Sequence, residues 1–431
     1  MRVAIVGFGA EGQAAYRYWH GHTVTVCDSR EDIAVPADAY PQLGSRYLCG
    51  LDGYDRIVRS PGVRPDLITA ANPGLKPSQI TTVSNEFFRV VPTSNIIGVT
   101  GTKGKGTTST LIAHILTAAG HTVHLGGNIG TPALDLLPAI EEHDWVVMEL
   151  SSFQLLDMNH SPHIGVCLRI TPDHLDYHAS MEEYVTAKGN IFAHQADTDT
   201  AVFHRDNDHS RQLAAHSPGR QLDYSHTQGA YATVADNAIW VDGSRVCDMA
   251  VVGLLGAHNL ENVTAAAAAT YPIVGEVAPL AEAIESFHGL EHRLQLVAEM
   301  DGVRYIDDSF STTPETAIAA ITSFTEPKTV IVGGSDKGAD FSDLARVIAE
   351  SDTRAVIVIG DTAPQIVSDL ESAEFEGEVI TDLDAMAAII HAARQHTPRG
   401  GVVLLSPGCA SFGLFSDYKD RGRQFQAAVT A

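Results

Sequence analysis

Short runs of valine and isoleucine recur along this chain, most of them closed by a glycine, a carboxylate or a hydroxyl residue and followed by a helical pattern. They fall at residues 3–6, 23–26, 96–100, 145–150, 164–170, 329–332, 355–359 and 402–405. Continuous β-branched runs of this length read as strands buried on both faces, and helices between them make successive strands parallel. Helical patterns at 107–119 and 259–269 fit that order. The class is therefore α/β with doubly wound sheets. Residues 201–246 break the rhythm with short strands and turns, and an antiparallel insertion is expected there.

Proline, glycine and polar residues punctuate the chain at Val91–Asn95 and at His288–Leu290, each just before a fresh strand. With 431 residues, 44% of them hydrophobic, the chain can bury several cores. Three Rossmann-like doubly wound domains are expected, at 1–92, 93–290 and 291–431, the central one carrying a phosphate loop. The five cysteines are scattered and never spaced Cys-x-x-Cys, as in a reducing compartment. Met1 leads straight into an apolar strand, and no 18-residue apolar run follows, so a cytoplasmic chain with no membrane partner is expected. A formal charge of −25 excludes a nucleic-acid partner, which would call for clustered Lys and Arg. The acidity reads as a solvated surface, with salt adaptation as the alternative. Only seven lysines occur, so the place of each is informative.

Gly7-Phe8-Gly9-Ala10-Glu11-Gly12 follows the first strand and opens a helix, and Asp28, with Ser29 and Arg30 after it, ends the next strand. Gly7, Gly9 and Gly12 permit a tight turn and close approach of a diphosphate, and Asp28 can take a ribose hydroxyl. A nicotinamide dinucleotide, a UDP-sugar or no ligand at all fits this turn. Ser60-Pro61-Gly62, after the run 56–59, is a second turn able to line the crevice.

Gly98-Val99-Thr100-Gly101-Thr102-Lys103-Gly104-Lys105-Gly106-Thr107-Thr108 joins a strand to a helix. Its backbone amides can cradle phosphates while Lys105 reaches across their oxygens. Downstream, Glu149 ends the strand 145–148 as metal-holding acids do, and His174 in Thr171-Pro172-Asp173-His174-Leu175-Asp176 opens onto the same sheet edge.

These segments, with Gly126–Gly130, Glu149–Gln154, Ala187-Lys188, His258-Asn259 with Asn262, and His292-Arg293, resemble in order the Mur ligase family, to which the folylpolyglutamate synthases are similar. The resemblance implies an ATP-dependent carboxylate–amine ligase that uses two Mg²⁺ ions. Gly101 to Thr108 would bind ATP phosphates, Asn262 the adenine region, and Arg293 and Asp308 the nucleotide. Thr107 and Glu149 would hold one Mg²⁺ and His174 the second. Lys188 would become a metal ligand by carbamylation, and Asn128 would contact the UDP-linked substrate. The loop departs from the usual Mur pattern, because Gly106 rather than Ser or Thr follows Lys105, and Thr107 then supplies the hydroxyl. Gly-Lys-Gly is similar to the folylpolyglutamate synthase loop.

Three further strand ends carry Asp307–Glu315, Gly333–Phe341 and Leu405–Phe412, with Tyr418 beyond. An acidic amino acid needs a lysine and hydroxyl donors, which Lys337, Thr312 and Ser411 can supply. The trio resembles the D-glutamate-adding branch, with Tyr418 where that branch places an aromatic ring. Asp-Asn-Pro-Arg, carried by the diaminopimelate or lysine adders, and the His-His-Pro of the L-alanine adders do not occur. Phe310 stands where lysine is common and Tyr418 where phenylalanine is common. The implied substrates are UDP-N-acetylmuramoyl-L-alanine and D-glutamate, joined through an acyl phosphate by a monomer whose hinges near Pro92 and Gly289 close the C-terminal domain. A folylpolyglutamate synthase, a dehydrogenase and a non-catalytic nucleotide-binding regulator are the competing readings. The first two are opposed by the glycine-rich N-terminal crevice and by the phosphate loop respectively, the third by Glu149, His174 and Lys188 occurring together.

Overall fold

The computed structural model describes residues 1–226, 228–254, 257–335, 338–411 and 413–431, and of Ala257 the backbone alone. Two compact units divide the chain, Met1–Phe287 and His288–Ala431. Among the described residues their sheets contain five and nine strands in the first unit and six in the second.

The first sheet is parallel throughout, in the spatial order Tyr40–Leu43, Thr23–Asp28, Arg2–Val6, Arg56–Arg59, Ile80–Thr82. Strand order reverses beside Arg2–Val6. In sheets of this kind the crevice beyond the strand ends at such a reversal receives ligands, and here it lies between the turns that follow Val6 and Arg59.

The second sheet runs Ser244–Asp248, Ala238–Val241, Ala232–Ala235, Arg220–Ser225, Thr200–His204, Ile164–Cys167, Ile96–Thr100, Trp145–Glu149, Val123–Gly127. Ile96–Thr100 is an interior strand, buried along its whole length, and flanked by the strands that lead to Leu168 and Glu149. Three sequence motifs therefore emerge at one sheet edge. The helices Lys105–Ala118 and Ala257–Val274 pack on each other over one face of the sheet, and Ala265 to Ala269 are all fully buried between the sheet and the neighbouring helices. Small side chains let the two helices approach closely.

The antiparallel insertion expected at 201–246 is corrected: Thr200–His204 and Arg220–Ser225 continue the parallel sheet, joined by the helix Asp208–Ala214. Only Ala232 to Asp248 turns antiparallel. The crossover helix is short and polar, which disguises a parallel connection as a string of turns.

The expected break near Pro92 falls inside the first unit, between its two sheets, and side chains bridge it. Arg59 is fully buried at the end of a first-sheet strand. It donates to the carbonyls of Ser60, Pro61 and Val63 in its own turn, to the Phe153 carbonyl at 3.1 Å, and to both oxygens of Asp157 at 2.9 and 2.5 Å. Asn85 adds a bond to the Asp157 carbonyl and accepts one from the Asn159 amide.

In the second unit the order is Gln295–Met300, Val303–Asp307, Val402–Leu405, Lys328–Gly333, Thr353–Ile359, Glu378–Ile380, antiparallel only at the first pair. The fold class read from the sequence, doubly wound α/β sheets with a phosphate loop in the central one, is the one observed.

Removing the cation of a buried pair leaves its partners unpaired, which costs about 3–5 kcal/mol. Asp157 keeps a quarter of its side chain exposed, so Arg59→Met is expected at the lower end, about 3 kcal/mol, read as a fall in the urea midpoint. An unchanged midpoint would show that the bridge carries no stability.

Candidate active site

The phosphate loop closes around Gly104, which sits at φ +85° and where a Cβ would lie 2.2 Å from the Asn262 Oδ1. No L side chain fits that conformation and that space. The helix Lys105–Ala118 begins there, has no acidic residue in its first turn, and turns free amides toward the loop. Lys105 folds back so that its Nζ donates to the Gly101 carbonyl at 3.0 Å and the Thr102 carbonyl at 2.9 Å.

Lys188, on the helix Met181–Gly189, reaches the same Gly101 carbonyl at 2.9 Å. It is 1% exposed. Burial, reinforced by the Lys105 charge, pushes its amine down to about 7. Tyr184, one helical turn earlier, places its ring 4.6 Å from the Lys188 Nζ and shares a 2.9 Å hydrogen bond with the Thr102 hydroxyl. The i, i+4 spacing of Tyr184 and Lys188 was a visible signal for this contact.

Glu149 is buried at its strand end, where Asn128 donates twice: Nδ2 to Oε1 at 2.6 Å and the backbone amide to the Glu149 carbonyl at 2.9 Å. Asn128, expected on the UDP-linked substrate, thus orients Glu149 here. Thr107 lies buried in the first helical turn. His174 stands exposed at φ +53°, its ring 4.9 Å from that of Phe153.

Among the described residues no three His, Cys, Asp or Glu side chains gather as a metal cluster. A divalent cation here would rely on the Thr107 hydroxyl, the Glu149 carboxylate and a changed Lys188. As an ammonium Lys188 repels a cation; as a neutral amine it can take up carbon dioxide and become a carboxylate. The near-neutral, buried amine fits that requirement.

A cavity of about 430 Å³ opens beside the loop, lined by Lys103, Gly104, Arg169, Tyr224, Glu261 and Asn262, among others. The Asn262 Oδ1 accepts from the Thr108 hydroxyl and its Nδ2 donates to Asn259 at 2.8 Å. Arg169 donates to Glu261 at 2.9 Å and to His204 at 3.1 Å. Burial opposes ionisation of Glu261, yet hydrogen bonds from His204 and Arg169 prevail and hold its carboxyl down to about 2. The space, polarity and position suit a nucleoside whose phosphates lie on the loop.

In the first crevice the three glycines have different reasons. Gly7 sits at φ +89° with the Ser60 Cβ 2.8 Å from where its own would be, and a Cβ on Gly12 would meet the Gly7 carbonyl at 2.1 Å. Gly9 has nothing within 4 Å of a Cβ, so neither packing nor φ calls for glycine, and the space before the helix Ala10–Tyr18 stays open. Ser60 Oγ closes the turn by donating to the Gly7 carbonyl at 2.6 Å, while Gly62 is exposed. Asp28 accepts from the Phe8 amide at 2.8 Å and pairs with Arg30. Its bonds from Arg30, outweighing burial, draw its carboxyl down to about 2. Ser29 and Arg30 lie exposed beside it.

In the second unit Asp308 accepts from Ser311 at 2.5 Å, Ser406 at 2.6 Å and the Leu294 amide at 3.1 Å. Burial still pushes its carboxyl up to about 6. Arg293 is exposed, its guanidinium 5.6 Å above the Phe310 ring, and Tyr418 meets that ring edge-on at 5.2 Å. The loops after three strands interlock: a Cβ on Gly334 would meet the Ala410 carbonyl at 2.2 Å, Gly408 donates to the Ser311 carbonyl, and the Ser309 hydroxyl donates to the Tyr418 carbonyl. Thr312 is exposed and Ser411 buried on these loops. Lys337, expected to bind an acidic amino acid, lies outside the described residues.

Arg59, Tyr184, Arg169, Glu261 and Gln154 drew no role from the sequence. The signal for Arg59 was an arginine inside an apolar strand pattern, and that for Tyr184 its i, i+4 spacing from Lys188; the others showed none that distinguishes them from surface residues.

A buried phosphate loop flanked by two lysines and a strand-end carboxylate, on doubly wound sheets, defines a nucleotide-dependent enzyme of the phosphate-loop kind. The model of the Mur ligase middle domain matches residues 99–270 and that of the Mur ligase, glutamate ligase domain residues 292–409. A relative from Symbiobacterium thermophilum named UDP-N-acetylmuramoylalanine–D-glutamate ligase is 37% identical, over 100% of this chain and 98% of its own. One of the same name from Acetivibrio thermocellus is 35% identical, over 100% and 96%. Among solved structures, MurC from Thermotoga maritima has a TM-score of 0.60 at 19% identity, covering 100% of this chain and 99% of that one. MurF from the same organism, in complex with ADP, has 0.56 at 18%, covering 88% and 90%. These two show the fold. The chain belongs to the Mur ligase family.

Lys188 supplies a pH test. Its amine titrates at about 7 in the folded chain against an ordinary 10.5, so between those values the unfolded chain binds more protons and stability rises with pH. Lys188→Met removes this dependence. In buffer free of carbon dioxide, the variant is expected to gain on the wild type as pH falls from about 10 toward about 7, measured by urea unfolding. A constant difference across that window would contradict the buried, shifted amine.

Proposed function

We propose that this chain joins D-glutamate to UDP-N-acetylmuramoyl-L-alanine at the expense of ATP, a step of peptidoglycan precursor synthesis. The convergence of Lys105 and Lys188 on one loop carbonyl beside Glu149, in a chain aligned end to end with relatives of that name, carries the reading. In the assignment that follows, residues 1–92 hold the UDP-linked substrate, 93–290 hold ATP and 291–431 hold the amino acid. Small molecules are its partners, it works in the cytoplasm as a monomer, and no helix among the described residues is long and apolar enough to cross a membrane.

A carboxylate is a poor acyl donor, so one oxygen of the L-alanine carboxylate attacks the γ-phosphorus of ATP, the β–γ bridge breaks, and an acyl phosphate and ADP form. The amine of D-glutamate then adds to the acyl carbon and phosphate leaves with the carboxylate oxygen. The chain's part is positioning and charge. Loop amides from Gly101 to Thr108 and the Lys105 ammonium hold the transferring phosphoryl group. Lys103 stands exposed at the rim, and Asn262 anchors the nucleoside side. Thr107, Glu149, His174 and a carbamylated Lys188 would hold magnesium at two sites, and the ions would neutralise charge on the phosphates. Gly7, Gly9, Gly12, Asp28, Ser29, Arg30, Ser60 and Gly62 line the crevice for the diphosphate and nucleoside of the sugar nucleotide. Arg293 and Asp308 serve the nucleotide, and Thr312, Lys337, Ser411 and Tyr418 the D-glutamate.

A folylpolyglutamate synthase has no use for the first crevice, where Gly9 keeps the helix start open.

Phosphate release with Mg²⁺, ATP and UDP-N-acetylmuramoyl-L-alanine is expected with D-glutamate and not with L-glutamate, L-alanine or diaminopimelate. Release with another of these amines would overturn the third-site assignment, and silence with all four the function. Lys188→Ala is expected to lose at least about 100-fold in rate, as removal of one electrostatic group from such a site does. Short carboxylic acids should restore part of it. Full turnover in that variant would remove the carbamate.

A further inference from the structure

Glu11 lies within the Gly7–Gly12 segment, in the first turn of the helix Ala10–Tyr18, yet its carboxyl group is buried rather than turned to solvent. Oε1 accepts from the Gln154 Nε2 at 2.5 Å, and Oε2 is buried with no hydrogen-bond partner. Gln154 in turn accepts, through its own Oε1, from the Ser151 amide at 2.8 Å and the Ser151 hydroxyl at 3.0 Å. Ser151 is two residues beyond Glu149. Two side chains therefore connect the diphosphate turn of the first sheet to the end of the strand that carries Glu149.

A buried acid with one oxygen unsatisfied is costly, and more so where an anionic diphosphate is to bind. Burial, offset in part by Gln154 and by the Arg59 charge, pushes the Glu11 carboxyl up to about 7. An alanine would occupy that helix position at no such cost, so fold stability alone does not account for Glu11. The segment it grips has no slack: the Ser152 hydroxyl shares a 2.9 Å bond with His178, the Phe153 carbonyl accepts from Arg59, and the Phe153 ring lies against His174 and Tyr177. Glu11 and Gln154 thus form a continuous hydrogen-bonded link from the Gly7–Gly12 turn to the Glu149 strand end.

We infer that Glu11 is a positioning residue that registers the diphosphate turn against the Glu149 strand end, so that the sugar-nucleotide substrate and the nucleotide on the phosphate loop strengthen each other's binding. The inference rests on the proposed function, which places those two ligands at those two sites. Coupling of this kind is reciprocal.

The test is titration calorimetry of ADP·Mg²⁺ into the full chain, with and without saturating UDP-N-acetylmuramoyl-L-alanine. The wild type is expected to bind ADP about 5-fold more tightly or better when the sugar nucleotide is present. Glu11→Ala and Gln154→Leu should each lose that gain while still binding ADP alone, and Glu11→Gln should keep it, because its carboxamide oxygen can accept the same bond. Should Glu11→Ala fail to fold, Gln154→Leu reads the same link from its other end. A wild type whose two affinities are independent, or a Gln154→Leu or Glu11→Ala chain that retains the coupling, overturns the inference. A wild type that binds ADP but no UDP-N-acetylmuramoyl-L-alanine instead overturns the functional reading beneath it.

Discussion

Two lysine side chains meet at one carbonyl oxygen, that of Gly101, and much of the first unit is arranged around that meeting. Burial first, and the Lys105 charge second, push the Lys188 amine down to about 7. Lys188 is thereby held near neutrality, while Lys105 lies half-buried in the loop itself. In a chain with 53 acidic residues against 28 basic ones, three of the seven lysines stand on or beside this loop, so the local field opposes the global one. A polyanion is what such a place is suited to hold.

The side chains that frame the pair are tied to one another by hydrogen bonds and close packing. Tyr184 fixes Lys188 against Thr102, Asn128 fixes Glu149 from both its side chain and its backbone, and Asn262 fills the space that Gly104 leaves. Behind the Glu149 strand end, the segment Ser151 to Gln154 spends every residue on a contact: a helix cap, a bond to His178, a carbonyl for Arg59 and an amide for Glu11. That density explains why the two sheets of the first unit form one compact body despite the proline-containing turn between them.

What was legible in the sequence follows from the same physics. Strands buried on both faces carry continuous apolar runs, so Ile96–Thr100 and Val402–Leu405 were delimited to the residue. The glycine loops were legible because at Gly7, Gly12 and Gly104 only glycine meets the backbone or space demands. Residues 200–225 were misread because Asp208–Ala214 is polar and short, leaving no amphipathic signature to announce a crossover. Arg59 drew no role although its signal was there, a charged residue in a place that pattern reads as apolar. The role of Lys188 came from resemblance alone; its perturbed amine is a property of burial and of Lys105, neither of which spacing reveals.

The central claim is that a substrate carboxylate is activated by transfer of a phosphoryl group on the Gly101–Thr108 loop. The direct measurement uses UDP-N-acetylmuramoyl-L-alanine with both carboxylate oxygens replaced by ¹⁸O, turned over with ATP, Mg²⁺ and D-glutamate, and mass analysis of the phosphate released. An acyl phosphate predicts one heavy oxygen carried into each phosphate. Unlabelled phosphate would mean that the carboxylate never bonds to phosphorus, and the account of this site would be wrong.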